Sequence, residues 1–148
     1  MNDDLESCLR DAAGNITLPL DNRAGPTKAR LDQERRWLRA TPPPTAPGSY
    51  LLVLGRHGDA PYWRALHEPE LVVGRAPDSG LTLDSQRVSK RHAVLASDGT
   101  DWCVRDAGST NGIWVNERKR ELAWLASGDL LQLGDTLLLF LQVRDLEP

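Results

Sequence analysis

The sequence predicts an all-β fold from residue 49 onward, an antiparallel sandwich or barrel, and three observations carry that prediction. Apolar runs there are short: "YLLVLG", "YWRAL", "ELVVGR", "HAVLAS", "WCVR", "GIWVN", "LLQL" and "TLLLFLQV" never exceed eight residues, which is strand length. Between them lie turn-forming clusters such as "APDSG", "SDGTD", "DAGSTN" and "LASGD". No helical periodicity survives in this part, and about 100 residues is a usual size for one sandwich. Asp98-Gly99 and Gly134-Asp135 read as tight hairpins. In "HAVLASD", His92, Val94 and Ala96 alternate with Ala93, Leu95 and Ser97, as expected of a half-buried strand.

Residues 1–48 have a different texture. They hold seven acidic and seven basic residues and end in "TPPPTAPGS", whose four prolines predict an extended linker over 41–48. Before it, "KARLDQERRWLRA" predicts a short helix at about 28–40, with Arg30/Glu34 and Asp32/Arg36 four residues apart. Its apolar side is only Leu31, Trp37 and Leu38, too little for a core of its own. The tail is therefore expected to be partly disordered, its helix docking on something or fraying.

Whole-chain totals exclude several classes. A hydrophobic fraction of 40% with 26% charged residues matches an ordinary globular protein. No stretch approaches the ~18 apolar residues of a membrane span, and the acidic start "MNDDLESCLRD" does not read as a secretory signal. The net charge of −3 argues against nucleic acid as a partner. Cys103, in the strand-like "DWCVRD", reads as a buried thiol rather than as half of a disulfide with Cys8. A cytoplasmic location fits these features. No Cys/His cluster has metal-ligand spacing, and no cofactor motif is present.

Three polar clusters stand where predicted strands meet loops. Gly74-Arg75 closes "VVGR", Arg87 to His92 ("RVSKRH") precedes "HAVLAS", and "STNG" (Ser109 to Gly112) precedes "IWV". Loops at one end of a sandwich converge from distant sequence, so the three can share a rim. Arg75 offers a planar cationic fork for an oxyanion. Ser89 and Thr110 add hydroxyl donors, and Lys90 adds a mobile charge. Asn111 presents both a donor and an acceptor, the pairing needed to hold a peptide main chain. Gly112 permits positive φ. Ser89, His92 and Asp106 do not make a hydrolase triad, because neither their spacing nor a nucleophile elbow supports one. These groups bind and do not cut. Trp63, Trp102, Trp114 and Trp124 read as packing residues. Arg118-Lys119-Arg120 reads as a solvated turn, or as an extension of a positive rim.

Taken in order, Gly74-Arg75, Ser89-x-x-His92, Ser109-Thr110-Asn111-Gly112 and Val115-Asn116 resemble the motif set of a forkhead-associated (FHA) domain over residues 50–145. The resemblance implies an FHA-type (SMAD/FHA) antiparallel β-sandwich of about eleven strands, in residues 49–148, that binds phosphothreonine peptides. It implies that Arg75 and Ser89 hold phosphate oxygens, that Thr110 adds a phosphate contact or shapes its loop, and that Asn111 binds the peptide main chain. Arg87 would read the side chain three residues after the phosphothreonine; His92, Gly74 and Gly112 would be structural. Two departures stand out. Lys90 replaces the usual Asn, Ser or Arg. "VNERK" lacks the customary glycine after Asn116, and because Glu117 tolerates positive φ poorly, a wider hairpin is expected there.

The expected function is a phosphothreonine-dependent signalling adaptor whose partners are phosphorylated proteins, with a Ser/Thr protein kinase among the candidates. The alternative is a phosphate-independent interaction module, a scaffold or secretion-system component, using a sheet face. An intramolecular contact is a further expectation: among Thr17, Thr27, Thr41 and Thr45, a phosphorylated residue would bind the site at high effective concentration, with Thr41 and Thr45, in the linker, placed too near the domain to reach back easily. None has an acidic residue three positions on.

Overall fold

Residues 28–55 and 60–144 are described by the computed structural model. A single described helix, α1 (Lys28–Ala40), precedes eleven strands. These are β1 (Gly48–Gly55), β2 (Tyr62–Ala65), β3 (Glu70–Gly74), β4 (Leu81–Thr82), β5 (Ala93–Ser97) and β6 (Trp102–Asp106). β7 (Ile113–Val115), β8 (Arg118–Arg120), β9 (Leu122–Trp124), β10 (Leu130–Leu133) and β11 (Thr136–Val143) follow. They form a six-stranded sheet, β2-β1-β11-β10-β7-β8, and a five-stranded sheet, β4-β3-β5-β6-β9. Pairing is antiparallel except between β3 and the two-residue β4, which run parallel.

Inward side chains of both sheets build one core, including Leu51, Val53, Leu71, Val73, Leu95, Val104, Leu131 and Phe140. Alternation explains the membership of β1 and β11, since successive residues face opposite sides. Leu52, Leu54 and Leu139 therefore point outward, where Trp37 and Leu38 of α1 cover them together with Trp63. The Arg30 guanidinium donates to the Gly128 carbonyl at 2.9 Å and lies 5.4 Å from the Trp37 ring centroid. The helix docks on its own sheet. Leu31 stays exposed. Arg30 pairs with Glu34 as expected, but Asp32 pairs with Arg35 while Arg36 donates to Gln33, because positions three apart are also neighbours on a helix.

Several local expectations are corrected. β5 is buried on both faces, not one: Ala93 and Leu95 enter the core, and outward Ala96 packs with Cys103 and Trp124. Cys103 is disulfide-bonded rather than a free thiol. It is completely buried, as expected, in the outer-face cluster with Ala96 and Trp124; Cys8 lies outside the described residues. The "NE" hairpin is not widened. Val115 pairs with Arg118, which leaves a two-residue turn with Asn116 at φ 49° and Glu117 at φ 69°. The Asn116 side chain fixes this turn by donating to Asp129 Oδ1 and accepting from the Leu130 N–H, both at 2.9 Å. Arg118-Lys119-Arg120 accordingly forms β8 instead of a turn. Gly134-Asp135 is a two-residue hairpin, whereas Asp98-Gly99 opens a four-residue connection between Ser97 and Trp102. There the N–H groups of Asp101 and Thr100 donate to Asp98 Oδ1 and hold its carboxyl below the usual range.

Candidate functional site

Gly74 ends β3 with its backbone against the loop that leads to β5. A methyl group at Gly74 would stand 2.1 Å from the Lys90 carbonyl oxygen, so only glycine allows this approach. The contact lets the Arg75 N–H donate to the Ser89 carbonyl at 2.9 Å and the Ala76 N–H to that of Lys90 at 3.1 Å. Two cluster segments are thereby joined through the main chain.

His92 attaches the third. It is completely buried. Its Nδ1 accepts from the Ser89 N–H at 3.1 Å, so the ring hydrogen sits on Nε2, which donates to the Gly112 carbonyl at 2.7 Å. One imidazole therefore fixes the positions of both polar loops. The "STNG" loop also orders itself: the Ser109 N–H donates to Asp106 Oδ1 at 3.1 Å, and Ser109 Oγ accepts from the Gly112 N–H at 2.9 Å. Gly112, at φ 77°, takes the left-handed conformation that glycine accepts without strain.

Between the loops, Ser89 Oγ accepts from the Thr110 N–H at 3.0 Å, and the Asn111 side chain donates to the Arg87 carbonyl at 2.8 Å. Arg75 uses Nε on the Val88 carbonyl at 2.9 Å, which aims the guanidinium while its terminal nitrogens bond no described residue. Arg75 and Ser89 are half-buried; Arg87, Lys90, Thr110 and Asn111 are exposed. The structure thus brings Gly74, Arg75, Arg87, Ser89, Lys90, His92, Thr110, Asn111 and Gly112 to one rim. Arg75, Arg87 and Lys90 supply cations to this rim, with the hydroxyls of Ser89 and Thr110 and the amide of Asn111 among them. Such an arrangement suits an oxyanion attached to an extended chain.

Two supports escaped the sequence reading. Ser85 Oγ donates to Asp135 and accepts from the Arg87 N–H, which ties the Arg87 loop to the β10–β11 turn. Ser109, a member of the "STNG" cluster to which the sequence assigns no separate role, closes the loop. Its signal was present: Asp106, Ser109 and Gly112 stand three apart, the spacing of side-chain-to-backbone turns.

Residues 71–134 match the family model described as FHA domain. Among curated proteins, the chain is 43% identical over 94 residues to the glycogen accumulation regulator GarA of Mycolicibacterium smegmatis, a match covering 64% of this chain and 60% of that protein. It is 37% identical over 102 residues to the oxoglutarate dehydrogenase inhibitor of Corynebacterium diphtheriae, covering 69% of each. Among solved structures, one described under phosphothreonine-dependent FHA domain interactions superposes with a TM-score of 0.59 at 28% identity, covering 64% of this chain and 95% of the other. The two sheets, the ordered motifs and these matches agree: the chain belongs to the FHA domain family.

Proposed function

We propose that this chain is a phosphothreonine-dependent binding module that acts as a regulatory adaptor. The observation that carries the reading is the guanidinium of Arg75, aimed by its own Nε bond and with both terminal nitrogens uncommitted among the described residues, on the rim that holds Ser89, Thr110 and Asn111. Arg75 and the Ser89 hydroxyl hold the phosphate, with Lys90 and Thr110 completing its shell. Asn111, anchored through its amide nitrogen, keeps its side-chain carbonyl free to accept from the peptide main chain. Arg87 faces the residue three positions after the phosphothreonine.

A phosphothreonine carries about −1.5 to −2 charge at neutral pH. Charge-assisted hydrogen bonds contribute about 1.5–3 kcal/mol each. Three or four of them, less the cost of ordering a peptide, correspond to affinity of about micromolar order. Calorimetric titration with a phosphothreonine peptide tests this. Arg75→Ala and Asn111→Ala should each lose most of the binding, and the unphosphorylated peptide should not bind. Both variants binding like the parent would exclude the site assignment.

The relatives named as a regulator and an inhibitor support a role in which the bound partner is an enzyme under control, and a Ser/Thr kinase would supply the phosphothreonine. Tail phosphorylation adds an intramolecular mode, with a constraint. The Thr41 carbonyl accepts from Trp63 Nε1 at 3.2 Å, so Thr41 must leave that bond before reaching the rim; Thr17 and Thr27 lie outside the described residues.

A further inference from the structure

We infer that Lys119, with the indole of Trp114 beside it, forms a second subsite on the rim, which takes the carboxylate of an acidic residue flanking the phosphothreonine. The inference rests on the phosphopeptide reading above and adds a specificity-determining residue to it.

Register places the pair. Lys119 stands opposite Trp114 on β7, and Trp114 stands opposite Gln132 on β10. Directly paired residues share a face of the sheet. Ile113 and Val115 point into the core, so Trp114 and Lys119 point outward. Trp114 is 37% exposed, one of the few large apolar side chains that solvent reaches among the described residues.

The lysine does not extend straight into water. A methyl group on Gly112 would stand 2.6 Å from Lys119 Cε and 3.5 Å from its ammonium nitrogen. The stem thus lies over Gly112, the residue next to Asn111, and brings its charge to the edge of the rim. On the other side, Asn111 bonds the Arg87 carbonyl. Asn111 is thus tied to the Arg87 backbone and adjoins the glycine that lies under the Lys119 stem. The Lys119 ammonium bonds no described residue. Its packed stem reduces the rotamer freedom lost on pairing with a carboxylate. β8 is an edge strand, and such a cation commonly only keeps an edge soluble. The fold over Gly112 distinguishes this one.

The test is selection from an oriented phosphothreonine peptide library by the full chain and by Lys119→Met, Lys119→Glu and Arg87→Ala. The parent should favour Asp or Glu over Ala at one flanking position by about two- to fivefold, the range of an exposed ion pair. Lys119→Met keeps the apolar stem and should abolish that preference while still discriminating phosphorylated from unphosphorylated peptide. Lys119→Glu should invert it toward Lys or Arg, and Arg87→Ala should change selection at a different position. Phosphate-dependent binding by the parent with the same acidic preference in Lys119→Met, or with none in either, overturns the subsite alone. Failure of the parent to bind any phosphothreonine peptide overturns the functional reading as well.

Discussion

At the scale of single residues, His92 carries more of the architecture than any charged group on the rim. Its two ring nitrogens bond the main chains of Ser89 and Gly112, so two loops far apart in sequence share one anchor. Removing the ring leaves a cavity, an unpaired N–H and an unpaired carbonyl. Each unsatisfied group costs about 1–3 kcal/mol. His92→Ala should therefore lower unfolding free energy by about 3 kcal/mol in a denaturant titration and weaken phosphopeptide binding, although His92 itself touches no ligand. Full stability in this variant would mean that other contacts hold the loops. Glu117 shows the opposite economy. A non-glycine residue at φ 69° bears strain of about 1–2 kcal/mol, which the bonds of the Asn116 side chain to Asp129 and to the Leu130 N–H offset.

At the scale of elements, the loop from β2 to β3 is fastened by charge. Arg64 contacts Glu68 with both terminal nitrogens, at 2.6 and 3.3 Å, and the His67 N–H adds a bond at 3.1 Å. The Arg64 hydrogen bond holds the Glu68 carboxyl at about 2, below its usual 4.5. A depressed carboxyl contributes stability that is fully present above the unfolded value and lost as pH falls through the folded one. The contribution should thus fade between pH 4.5 and about 2, and solvent exposure of the pair keeps it small. Glu68→Gln should be slightly less stable than the parent at pH 7, with the gap closing toward pH 2; a gap constant over that window would contradict the assignment.

Legibility also varied by element. Strands and their turns were readable because apolar runs and Gly/Asp clusters alternate locally. The site motifs were readable because each lies within a few consecutive residues. The helix's destination was not, since Trp37 and Leu38 are complemented by Leu52, Leu54 and Leu139, which any strand pattern leaves ambiguous between core and outer face. The tight "NE" turn was hidden because its stabilising partner, Asp129, lies thirteen residues away.

At the scale of the whole molecule, two ends of the sandwich have different work. The β10–β11 turn meets the Arg87 loop through Ser85 and Asp135, whereas Gly128, before the other end of β10, receives Arg30 of α1. The helix is thus anchored away from the rim and covers an outer sheet face, burying apolar surface at about 25 cal/mol per Å². No described helix is long and apolar enough to cross a membrane. An amide-resolved NMR titration of the full chain with a phosphothreonine peptide examines this division of labour most directly. The signals of Arg75, Ser89, Lys90, Thr110 and Asn111 should move on addition of the phosphorylated peptide and stay still with its unphosphorylated form. Shifts centred on α1 and β2, or equal responses to both peptides, would contradict a phosphate-reading rim.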